Sequence, residues 1–185
     1  TCFYDPGASR ASFTLDHLAN LANAARIRFE ANGYEVQTTR LTTVPFPRLV
    51  PSCCDESAVH LVRLLEREAS SHGFAYIAFG PALPEIPESY RLIPTMLAET
   101  QNAFFSAVLS TTDGVVHLPA VRACGEIIAA AAAITPDGFT NLRFSAIANL
   151  PPGGPFFPSG YHGSGEDPQF AIAAEAADVV LQAFT

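Results

Sequence analysis

FAYIAF, from Phe74 to Phe79, is a short continuous apolar run held between His72-Gly73 and Gly80-Pro81. A strand with one wet face alternates apolar and polar residues. An unbroken apolar run is instead the mark of a strand covered on both faces, the usual condition of a parallel sheet. Phe74–Phe79 is therefore expected as a central strand terminated by Gly80-Pro81, and the segments around it fall into alternating strands and helices.

Upstream, a helix is expected from Asp55 to His72, capped by Ser52 or Asp55, with Val59, Val62 and Leu65 on its apolar face. Before it, Tyr34–Thr43 (YEVQTTRLTT) is β-branched and alternating, a strand that Pro45 and Pro47 end. Thr14–Asn32 carries Leu15, Leu18, Leu21, Ala25 and Phe29 at helical spacing, with Gly33 closing the helix, and TCFYD at Thr1–Asp5 has the look of a strand. Downstream, Pro84, Pro87 and Pro94 allow only short helical pieces as far as Gln101; Ala103–Ser110 (AFFSAVLS) is a second buried strand. Pro119 opens a helix over Ala120–Ile134, the turn TPDG leads into a strand at Leu142–Asn149, and Glu166–Phe184 is a final helix with Phe170, Ala173, Ala177, Val180 and Leu181 on its apolar face.

Strands joined by helical crossovers of this length predict an α/β fold with a mainly parallel sheet, open or closed into a barrel. The chain starts inside a strand and stops in an apolar helix without a cap, so residues 1–185 are expected to be either one α/β domain or the N-terminal half of a larger barrel domain.

Composition narrows the function classes. Of the 185 residues 49% are hydrophobic and only 15% charged, a core-rich balance, yet no run reaches the roughly 18 to 20 apolar residues of a membrane span. A net charge of −8 with the ten basic residues, all Arg, scattered along the chain offers no basic stripe for phosphates, so no nucleic-acid partner is expected. The four cysteines, Cys2, Cys53, Cys54 and Cys124, lack zinc-ligand spacing, and no metal site is expected. Reduced thiols in a cytoplasmic compartment are the reading, with Cys53 and Cys54 as plain thiols at a helix entrance.

Chemistry is expected where strand Leu142–Asn149 runs into the Gly- and Pro-rich loop that precedes Glu166, because α/β proteins place ligand-contacting groups on loops at strand ends. His162 is the proton-transfer candidate there and Glu166 its catalytic partner, four residues on. Asn149 offers an amide, Tyr161 and Gly163 flank the histidine, and Arg40, in the extended segment before PFP, offers a fork for a carboxylate or phosphate. Each has a plainer role open to it: a turn-fixing His162, a Glu166 that complements a helix dipole, a loop-bonding Asn149, an Arg40 in a strand-edge salt bridge. His117, after Asp113-Gly114, is a second histidine candidate. The chain has no G-x-S-x-G, H-E-x-x-H, G-x-x-x-x-G-K or G-x-G-x-x-G motif.

The block with Asn149 at a strand end, PFFPSGYHG from Pro155 to Gly163, and Glu166-Asp167 opening a helix resembles the family known as domain of unknown function 711. EVQTTRLTTVPFP is similar to that family's early strand, and FAYIAFGPAL to its strand leading into a turn. The resemblance implies an α/β barrel similar to that of pyruvate formate-lyase-like glycyl radical enzymes, with this chain as its N-terminal half. It does not carry radical chemistry with it, and it leaves activity, substrate and cofactor open. Two functions follow as expectations. One is an enzyme acting on a small polar metabolite at the loop between residues 142–149 and 166–184. The other is a non-catalytic ligand-sensing or self-assembling scaffold, partnered by the remainder of its own polypeptide or by further copies of itself.

Overall fold

The computed structural model describes residues 1–7, 14–50, 55–154, 156–163 and 169–184. Five strands, β1 (Cys2–Tyr4), β2 (Arg40–Pro45), β3 (Tyr76–Ala82), β4 (Ala103–Ser110) and β5 (Phe144–Ala148), form one sheet in the order β1-β2-β3-β4-β5, with every neighbouring pair parallel. The crossovers are α1 (Leu15–Ala31), α2 (Asp55–Ser71), α3 (Glu88–Ala98) and α4 (Leu118–Ala132), and α5 (Ala177–Phe184) ends the chain. The α/β class and the parallel sheet are thus as the apolar runs require.

Because side chains alternate along a strand, each strand contributes to two faces. Leu41, Ile77, Phe79, Phe105 and Phe144 point to one, where they share a single apolar cluster with Leu18 of α1, Val62 of α2, Ile93 and Met96 of α3 and Ile127 of α4. All four crossover helices therefore lie on that face. The opposite face carries Phe3, Thr42, Tyr76, Phe104, Ser106 and Ser145, and it is covered by the loop that follows β5. Phe157 packs its ring against Phe104 (centroids 4.7 Å apart) and Tyr76 (6.2 Å). Ser159 pairs its hydroxyl with that of Ser145 at 2.7 Å, and Thr42 donates to the Gly160 carbonyl at 2.7 Å.

The expected α1 is capped at Thr14, whose hydroxyl accepts from the His17 N–H, and β4 occupies Ala103–Ser110 as expected. Elsewhere the partner strands, not local preference, set the limits. β2 begins at Arg40 rather than Tyr34, since β1 and β3 offer partners only from that register onward, at Leu41↔Cys2 and Arg40↔Tyr76. β3 continues through Gly80-Pro81 to Ala82; the register against β4 shifts between Phe79 and Ala82, and an irregularity of this kind tolerates a residue without an N–H. The prolines expected to fragment the next segment do not: α3 is one helix with Pro94 inside it, held by buried Leu92, Ile93, Met96 and Leu97. Residues 142 and 143 belong to a 3-10 turn, Phe139–Arg143, so β5 starts at Phe144.

The largest correction concerns the last helix, expected over Glu166–Phe184: it covers Ala177–Phe184, and residues 169–176 are outside any helix. Phe170, placed on its apolar face by the sequence, instead bridges antiparallel to Cys2: Phe3 N–H donates to the Gln169 carbonyl and Ala171 N–H to the Thr1 carbonyl, at 3.0 and 2.8 Å. An edge strand with unpaired backbone groups captures an extended segment more strongly than an isolated helical turn can compete for it. Among the described residues no helix is long and apolar enough to cross a membrane.

Candidate functional site

The loop after β5 starts at Asn149, whose φ of 52° is the left-handed conformation that Asn tolerates better than most residues. Its N–H donates to the Ser110 carbonyl, and its side chain is exposed at the C-terminal end of β5. The chain then runs down the helix-free face to Phe157 and climbs back across it, so that Gly160 lies over Thr42, and the His162 N–H donates to the Thr43 carbonyl at 3.0 Å. Glycine is required on the way: a side chain at Gly160 would run into the Gly154 carbonyl, and one at Gly163 would meet the Pro152 ring at 2.8 Å.

This path delivers Tyr161 and His162 to the C-terminal ends of the strands. Tyr161 donates its hydroxyl to the Leu150 carbonyl at 3.2 Å and packs with Leu83, Val108, Ile147 and Leu150. His162 is only 1% exposed, its ring 6.0 Å from that of Phe3. Burial pushes the imidazole below its ordinary value, with the Asp5 carboxylate working the other way; burial also raises the Tyr161 phenol, against the field of Arg48. Asp5 follows β1 and Arg48 follows β2, so His162, Tyr161, Asp5 and Arg48 gather at one end of the sheet, where open α/β sheets bind ligands. The arrangement can hold a neutral imidazole for proton transfer beside one carboxylate, one phenol and one guanidinium.

The sequence-stated candidates divide accordingly. Tyr161, His162 and Gly163 stand at this end. Asn149 shares the end but directly follows β5, at the far edge of the sheet from β1. Arg40 opens β2 and so lies at the opposite, N-terminal end, where its Nε donates to Thr38 at 2.8 Å and its guanidinium sits 5.2 Å from the Phe157 ring centre. Glu166, Cys53 and Cys54 fall outside the described residues. His117 begins α4, with its N–H bonded to the Leu109 carbonyl. Asp5 and Arg48 were missed by sequence reasoning; their one signal was position, each just past a strand. Among the described residues no three His, Cys, Asp or Glu side chains gather as metal ligands. The thiols of Cys2 and Cys124 are buried and unbridged, and burial raises Cys124 to about 11.

A histidine with a lowered folded-state pKa remains neutral while the unfolded chain protonates, so its contribution to stability is complete above the ordinary value of 6.5 and declines as pH falls below it. Replacing His162 by Gln is expected to flatten that acid limb, read from urea midpoints between about pH 5 and 7.5. Parallel profiles for the two proteins would mean that folding leaves the His162 imidazole at its ordinary value.

Comparison with known proteins places the chain. The family model described as "Uncharacterised ACR (DUF711)" matches residues 11–185, and the chain belongs to this family. UPF0210 proteins are similar: that of Actinobacillus pleuropneumoniae is 27% identical over 80% of this chain and 34% of its own length, and that of Actinobacillus succinogenes 26% over 89% and 38%. The UPF0210 protein of Methanococcoides burtonii is 29% identical over 72% of this chain and 31% of its own. The chain thus spans about a third of the length of the curated relatives it matches.

Proposed function

We propose that this member of the DUF711 family acts on a small polar metabolite at the C-terminal ends of β1 and β2, with His162 as the group that takes up and returns a proton. The observation that carries the reading is a buried imidazole, held neutral by desolvation, on a turn tied to β2 through the Thr43 carbonyl, with Asp5 near enough to favour its protonated form. A base that is desolvated but faced by a carboxylate can accept a proton without stranding the charge. Asp5 then stabilises the imidazolium, and Tyr161, anchored to Leu150, borders the metabolite. The reduced thiols of Cys2 and Cys124 support a cytoplasmic setting for it.

The second reading, a ligand-sensing or self-assembling scaffold, has its own support. The loop fills the helix-free face with Phe157 and ties Ser159 and Gly160 to the strands, as a packing element would. On α5, Val179, Val180, Leu181 and Phe184 are more than half exposed, an apolar surface suited to another copy or to more of the same polypeptide. Native mass spectrometry of the protein purified from its source separates the two. A retained small molecule that is lost in His162→Gln, with the melting temperature within a few degrees of wild type, is the expected outcome. A ligand-free homo-oligomer, unaltered by that substitution, would establish the scaffold reading.

A further inference from the structure

Resting on the site proposed above, we infer that Arg48 is its anion-recognition residue and that the metabolite handled there carries a carboxylate or a phosphate. Arg48 closes the 3-10 turn Phe46–Arg48 directly after β2, and the turn is firmly seated. Phe46 is fully buried, its ring edge-on to Phe105 at 6.4 Å, and Leu49 N–H donates to the Phe46 carbonyl at 2.9 Å. The base of the side chain is thereby fixed while the side chain itself is exposed.

Four other arginines are engaged within the fold: Arg63 with Glu99, Arg122 with Glu126, Arg143 with backbone carbonyls, Arg40 with Thr38 and the Phe157 ring. Arg48 has no carboxylate partner among the described residues. Among those residues it is also the sole guanidinium on the connections that leave the C-terminal strand ends. It stands beside Tyr161, whose phenol feels its field. In a protein of net charge −8 an anion is repelled at long range, so a site that takes one needs a local guanidinium fork such as this, which no carboxylate among the described residues occupies.

The test is calorimetric titration of the whole protein with inorganic phosphate and, separately, succinate. Saturable binding of at least one anion is expected, about tenfold weaker or worse in Arg48→Gln, partly kept in Arg48→Lys and unchanged in Arg122→Gln. Phosphate alone would name a phosphorylated metabolite and succinate alone a carboxylate. Failure of both anions to saturate the wild-type protein, or equal binding by Arg48→Gln, overturns the inference. The same titration on His162→Gln keeps the two readings apart. Anion binding that depends on Arg48 stands even where the purified protein's ligand proves indifferent to His162, and a His162-dependent ligand held undiminished by Arg48→Gln sinks the Arg48 assignment alone.

Discussion

Arg143→Met is expected to lower the melting temperature by about 6–12 °C, from a loss of about 3 kcal/mol in a chain of this size. Arg143 is 8% exposed, yet it meets no carboxylate at hydrogen-bonding distance among the described residues. From the turn before β5 it reaches under the end of α3, where Nη1 donates to the Thr100 and Ala103 carbonyls at 2.8 and 3.3 Å and Nη2 to the Leu97 carbonyl. A cation at this point satisfies carbonyls that a helix C-terminus leaves without partners. Methionine matches much of the volume and supplies no donor. Each buried carbonyl left bare costs about 1–3 kcal/mol, and the released desolvation cost of the guanidinium, evident in its lowered pKa, offsets only part of the sum. The check is a urea and thermal melt of both proteins. A shift below about 2 °C would mean that water replaces the guanidinium at those carbonyls.

That keystone was invisible in the sequence for a simple reason. The partners of Arg143 lie 46, 43 and 40 residues away, and no local pattern marks an arginine whose hydrogen bonds all go to distant residues. What is local was legible. Thr14 announced the start of α1, Pro119 the first turn of α4, and the run AFFSAVLS gave β4 its limits. Errors arose where a neighbour decides: Pro94 stays in α3 because four large apolar side chains there are buried, and Phe170 leaves the expected helix because β1 presents an unpaired edge. Both outcomes are tertiary terms that outweigh a local preference.

The site shows the same division. The Gly- and Pro-rich composition marked the loop around Tyr161 and His162, and resemblance placed it within a family. Its direction of travel was not encoded in composition. Only the fold shows that the loop descends the helix-free face to Phe157 and returns over Thr42, which brings His162 to β1 and β2 although it follows β5 in sequence. Asp5 comes near the histidine and Arg48 near Tyr161 through strand order alone, and Arg40, one strand residue from buried Leu41, is carried to the opposite end.

Gly80→Ala is expected to cost about 3 kcal/mol, the upper end of the range for an overpacked interior, or to prevent the folded protein from accumulating. A methyl group there would lie 2.5 Å from the Val44 carbonyl carbon and 2.6 Å from both the Val44 oxygen and the Pro45 nitrogen. All three are backbone atoms of the adjacent strand, so no rotamer change relieves the contact and β2 must move away from β3. The same displacement strains the Thr43 hydroxyl, which accepts from the Gly80 N–H at 3.2 Å, and with it the Thr43 carbonyl that holds His162. Gly125→Ala is the matched control: the same methyl group meets nothing within 4 Å on the exposed side of α4, and there the change should stabilise by about 0.5–1 kcal/mol. Denaturant midpoints for the pair read the difference directly. Opposite signs are required, because the two substitutions add the same atoms and differ only in whether a neighbouring backbone already occupies the space; a Gly80→Ala protein as stable as wild type would mean that β2 and β3 are not in the close register that positions the histidine.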